Sequence, residues 1–133
     1  LGSLAEYPAI RAVAADGATY RTFDDFFALP MQRTNLFLGQ VWLMYGWVRL
    51  LTGETPPPLI LDSMAAAEPV PLLLIAAGNE EFEAAYSELF AERLGARASV
   101  WVVPDAGHTQ GFTLARAEYE PRLFDFFAAA LAE

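Results

Sequence analysis

His108 is the only histidine of the chain, and it closes the stretch Trp101-Val-Val-Pro-Asp-Ala-Gly-His108, in which a hydrophobic run passes straight into a loop. An imidazole just past the C-terminal end of a buried strand stands where open α/β sheets present their reactive groups. Its unperturbed pKa also suits proton shuttling near neutrality. The plainer reading is a loop histidine that helps to fix the turn of Pro104, Asp105 and Gly107. A second apolar run, 70–78, ends in glycine and is followed at once by Glu80, Glu81 and Glu83. Two buried strands thus end in an acid-bearing loop and a histidine loop, in that order. A carboxylate placed on an imidazole orients the ring and stabilises its charged form. For each glutamate the alternative is a solvated carboxylate at the start of a helix, where the dipole favours negative charge. Asp105 lies three residues before His108 and is expected to cap its own turn.

These groups need strands to aim them, and the apolar pattern supplies such strands. Residues 10–15 read as a buried parallel strand, with Asp16-Gly17 as its exit turn. Residues 22–29 read as a helix capped by Thr22, with Asp24 and Asp25 in its first turn and Pro30 ending it. Residues 35–51 form a helix that is apolar nearly all round, too short for the roughly 20 residues that cross a bilayer and interrupted by Gln40 and Arg49. It is expected to be buried against the sheet or another subunit, or to lie as a lid over an apolar pocket; membrane spanning is not expected. The Thr52-Gly-Glu-Thr-Pro-Pro-Pro58 connector is stiff and extended. A short helix at 59–67 returns the chain to the strand that begins near Val70. Residues 82–94 read as an amphipathic helix with Ala85, Leu89, Phe90 and Leu94 on one side and Gly95 as its stop. The last strand is 99–103. The closing helix, 118–132, carries Leu123, Phe124, Phe127 and Leu131 as its core stripe. Strands alternating with helices predict an α/β fold with a parallel sheet, whose crossovers bring both strand-end loops to one edge.

In this order and spacing the chain resembles the C-terminal part of the α/β-hydrolase superfamily. The Pro-x-x-Gly-His loop at 104–108, the Pro-Leu-Leu-Leu-Ile strand at 71–75 and the segment 6–17 carry the match. The resemblance implies one partial domain over 1–133, with a helical, lid-like insertion at about 19–68 and the acid and histidine in 69–133. It implies a serine hydrolase acting on a carboxylic ester, thioester or amide, with His108 as general base. Relatives place the orienting acid three residues after the glycine that ends the strand, which lands on Glu81. Glu80 and Glu83 stay open, and Asp16 is a further alternative because some hydrolases draw the carboxylate from that position. The family's Gly-x-Ser-x-Gly elbow occurs nowhere in the chain. Ser3, Ser63, Ser87 and Ser99 lack that setting and read as caps, turns or surface hydroxyls. The nucleophile is therefore expected upstream of residue 1, in a longer polypeptide. That missing part, or another subunit, is expected to cover the edge of the sheet.

Composition narrows the alternatives. A net charge of −9, with all eight basic residues arginine and scattered singly, argues against nucleic acid as a partner. The chain has no cysteine, so the compartment stays undetermined, and with one histidine no zinc site or other cofactor is expected. The expected ligand is a small molecule, with an apolar acyl group if the 36–51 helix is a lid. A peptidase of the same fold and a non-catalytic relative that only binds remain as rival classes, and a serine at the upstream elbow would separate the latter from both enzymes.

Overall fold

The computed structural model describes residues 1–22, 25–26, 35–55 and 57–132; for 35–38 and 41 it describes the backbone alone. Three strands, β1 (Val13–Asp16), β2 (Leu72–Ala77) and β3 (Ala98–Val103), form a parallel sheet in the order β1-β2-β3. Val13 to Asp16 pair with Leu72 to Ile75, and Leu72 to Ala77 pair with Ala98 to Val103. Successive strands therefore lie side by side, as the alternation predicts, and the chain is an α/β protein. β2 is central and buried at every position. That burial on both faces is why its sequence is an unbroken apolar run rather than an alternating one.

Helices cover both faces. Leu72 and Leu74 point to one side, where they meet Ile60 and Met64 of α2 (Ile60–Ala66) and Tyr86 and Phe90 of α3 (Glu81–Leu94). Leu73, Ile75 and Ala77 point to the other, where they meet Trp101, Val103, Ala106 and Tyr119. Tyr119 belongs to α5 (Arg116–Leu131), which follows the single turn α4 (Gly111–Leu114). A further helix among the described residues, α1 (Asn35–Thr52), occupies the insertion between β1 and β2. No helix among the described residues is long and apolar enough to cross a membrane.

Several local expectations shift. The first strand starts at Val13 rather than Ile10, because the Ile10 amide donates to the Tyr7 carbonyl in a turn. The helix expected at 22–29 lies largely outside the described residues. Its cap is visible: the Asp25 amide donates to Thr22 Oγ1 at 3.1 Å, and Asp25 Oδ2 accepts from the Thr22 amide at 2.9 Å. This is a reciprocal capping box with aspartate in place of the usual glutamate. The core stripe of the closing helix is corrected. Phe124 and Leu131 are 73% and 55% exposed, and the inward face is Tyr119, Leu123 and Phe126, which recur at i, i+4 and i+7.

The insertion is fastened at its base by Asp25, which is buried. Its Oδ1 accepts from the Ile60 amide at 2.8 Å, while Oδ2 accepts from Thr22 and from the Arg21 amide. Arg21 donates in turn to the Pro58 carbonyl and to Ser63 Oγ. One carboxylate thus joins the outgoing and returning limbs of the insertion. The helix expected to be buried is not: every described side chain of α1 from Trp42 onward is exposed except Tyr45, whose hydroxyl donates to the Arg21 carbonyl at 3.2 Å.

Candidate active site

The parallel strands end together, and the loops leaving β2 and β3 are laced to each other. The Gly78 amide donates to the Val103 carbonyl at 2.8 Å and the Asn79 amide to the Ala106 carbonyl at 2.9 Å. Asn79 Nδ2 donates to the Asp105 carbonyl, also at 2.9 Å. A Cβ at position 78 would lie 2.8 Å from the Val103 carbonyl oxygen, so only glycine lets the two loops approach this closely. Beyond the lacing, the Gly107 amide donates to Gln110 Oε1, and the Gln110 amide returns to the Gly107 carbonyl. Asp105 and Thr109 bracket His108 in left-handed backbone, at φ 60° and 56°. For a β-branched residue such as Thr109 that conformation is strained. Asp105 fixes the turn through its carbonyl; among the described residues its carboxylate makes no hydrogen bond.

Held this way, His108 reaches back over the sheet edge to a carboxylate. Nδ1 meets Oε1 of Glu83, in the first turn of α3. A carboxylate only accepts, so Nδ1 carries the proton and donates. The other carboxylate oxygen, Oε2, accepts from the Ala77 amide at 2.9 Å. That amide faces β1, as does the Ile75 carbonyl that takes the Gly17 amide, but β1 ends before it. Glu83 thus fills the ladder position that β1 leaves vacant, and both its oxygens are engaged in a site where it is only 2% exposed. Burying a carboxylate is costly unless its oxygens are satisfied; here they are.

The imidazole is mostly open, with its side chain 65% exposed. Its hydrogen bond to Glu83 and then the charge of Glu83 raise its pKa above the ordinary 6.5, against a small opposing effect of burial; Glu80 and Asp16 add to the rise from farther away. Nε2 makes no hydrogen bond among the described residues and is the nitrogen free to take or give a proton. A Cβ at Gly17 would lie 3.0 Å from His108 Cε1, so the turn after β1 forms the floor beneath the ring.

His108 stands at this edge, and the carboxylate that meets it is Glu83, one of the alternatives, rather than Glu81, the acid that the resemblance favours. Glu81 and Glu80 are exposed and make no hydrogen bond to His108; Glu83 does. The reason is helical phase. Glu83 shares a face with Tyr86, Ser87 and Phe90, at i+3, i+4 and i+7, and that is the buried face of α3. Glu81, two residues earlier, points away. The signal was in the sequence, since Glu83 is the one acid in register with the apolar stripe that covers the sheet. Asp16 is drawn elsewhere: its Oδ2 accepts from the Tyr119 hydroxyl at 2.8 Å. Burial and then this bond push the Tyr119 pKa up to about 12. The Tyr119–Asp16 bond, which ties α5 to the end of β1, was not foreseen from the sequence. Of the serines, Ser63 and Ser87 are buried among the helices, and Ser99 Oγ bonds the Leu72 carbonyl at the opposite end of the sheet. Among the described residues, no group of three or more histidine, cysteine, aspartate or glutamate side chains is placed to hold a metal ion.

No family model, no curated protein and no solved structure matches the chain. Whatever the site does must be argued from its own geometry.

Proposed function

We propose that Glu83 and His108 are the acid and base of a serine-hydrolase triad of the α/β-hydrolase kind, acting on a carboxylic ester, thioester or amide. One observation carries the reading. A buried, fully engaged carboxylate holds Nδ1 of an otherwise exposed imidazole at the C-terminal edge of a parallel sheet, leaving Nε2 outward. In that arrangement Nε2 removes the proton from a serine hydroxyl as it attacks the carbonyl carbon. It then returns the proton to the leaving group, while Glu83 stabilises the imidazolium between the two steps. None of the serines at 3, 63, 87 and 99 is hydrogen-bonded to His108, so this reading requires a hydroxyl that these four do not supply. The order of parts along the chain, acid loop and then histidine loop, agrees with the same reading.

The test is a comparison of kcat/KM on a short-chain nitrophenyl ester in the polypeptide that unites the nucleophile with these residues. His108→Ala is expected to lower it by about 10³–10⁴-fold or more, as loss of a triad member does. Glu83→Gln is expected to lower it severely, and Glu81→Gln to leave it within about threefold. Near-normal turnover by folded His108→Ala would reduce the pair to a structural brace and place the chemistry elsewhere.

A further inference from the structure

α1 leaves an apolar groove uncovered, and its occupant is legible from the residues that line it. Gly39, Trp42, Leu43, Gly46, Trp47 and Leu50 line a shallow, open groove of about 420 Å³ along one side of the helix. The steps 39, 43, 46, 50 are 4, 3 and 4 residues, the seam of a heptad pattern, with glycine and leucine alternating along it. Trp42 and Trp47 stand on its two flanks, 71% and 54% exposed, and Leu43 and Leu50 are 64% and 73% exposed. Among the described residues, and apart from the helix's own backbone and the neighbours in the chain, neither glycine has an atom within 4 Å of where its Cβ would be. Tyr45, which ties the helix to the body, is on the opposite side.

We propose that this seam is the contact between two copies of the chain, paired antiparallel through α1. The seam is complementary to itself. A two-fold axis crossing the helix between Met44 and Tyr45 brings Leu43 against Gly46 of the second copy and Leu50 against Gly39, so each large side chain meets a notch. The glycines let the axes approach below the usual ~8–10 Å, which the leucines then fill. The same axis keeps each flank beside its own counterpart: Trp42 lies along Trp42 of the other copy, and Trp47 along Trp47, as an isologous interface requires. Arg49, seven residues from Trp42 and so on its flank, comes beside the Trp42 of the second copy, where a guanidinium is favoured against an indole face.

Charge also selects this surface. The chain carries −9, so most of it repels a copy of itself, but Arg49 is the only charged residue of α1. The exposed parts of the two tryptophans and two leucines offer on the order of 500–600 Å² per copy, about 1,000–1,200 Å² in all, which just clears the minimum for a specific interface. The dimer is therefore expected to be reversible rather than permanent.

Sedimentation equilibrium of the 133-residue chain from about 1 to 100 μM reads the association. The expected result is a reversible monomer–dimer equilibrium. Gly46→Leu, an exposed change that fills the notch, should shift it at least tenfold toward monomer with an unchanged circular dichroism spectrum. The exchange variant Leu43→Gly/Gly46→Leu moves the large residue to 46 and the notch to 43, so it should dimerise again. Three results would each overturn the proposal. They are a wild-type chain monomeric throughout; a dimer that Gly46→Leu leaves intact; and an exchange variant as monomeric as Gly46→Leu.

Discussion

At the scale of single residues, the site depends on one asymmetric pair, an exposed imidazole and a buried carboxylate that has a second bond to the sheet. The asymmetry has a thermodynamic consequence with a definite sign. The folded pKa of His108 is raised, so its bond to Glu83 contributes its full stabilisation below the unfolded pKa of about 6.5, and the contribution fades as pH rises through the folded value. His108→Ala should therefore cost more stability at pH 6 than at pH 9. Urea midpoints at the two values measure the difference, and an equal loss at both would mean that the bond does not couple to protonation. Thr109 beside it predicts the opposite kind of effect. Its left-handed backbone is one that glycine adopts freely, so Thr109→Gly should raise the urea midpoint, stabilising the chain by up to about 1 kcal/mol. A destabilised Thr109→Gly chain would show that the threonine side chain contributes more than its backbone costs.

At the scale of elements, the sheet-end loops position this pair through backbone contacts that tolerate little change. Gly78→Ala would press a methyl against the Val103 carbonyl at 2.8 Å, so the β2 and β3 exits must part; a loss on the order of 1–3 kcal/mol in urea unfolding is expected. An unchanged midpoint would mean that the lacing gives way without cost. The same elements explain what the sequence revealed. β2 was readable because the run Leu72–Ala77, buried on both faces, leaves an unbroken apolar signature, whereas the edge strand β3 was readable from the run of β-branched and aromatic residues at 100–103. His108 was readable as the residue that follows β3. Glu83 was obscured by two equally acidic neighbours, and only the phase of Tyr86, Ser87 and Phe90 separates it from Glu81. In α5 the same kind of reading failed, because Phe124 and Phe127 suggested a face one step round from the one that Tyr119, Leu123 and Phe126 bury. A tyrosine whose hydroxyl must reach Asp16 fixes the helix rotation, and side-chain polarity alone does not reveal that partner.

At the scale of the molecule, a parallel sheet covered on both faces carries the His108–Glu83 pair at the C-terminal ends of its strands, and the insertion that bears the apolar helix is clasped at its base by Asp25. The exposure of α1 was the least legible feature. Its all-round apolarity predicts cover, and hydrophobicity alone does not say whether the body of the same chain supplies it. The central claim, that Glu83 holds His108 with Nδ1 protonated and Nε2 free, can be tested in the chain itself, because its sole histidine gives one set of imidazole signals. Long-range proton–nitrogen spectra across a pH titration report both the tautomer and the midpoint. The account predicts a neutral ring protonated on Nδ1 and a midpoint above 6.5, with both lost in Glu83→Gln and both kept in Glu81→Gln. A midpoint at the ordinary value, or one that Glu81→Gln moves as far as Glu83→Gln does, would contradict it.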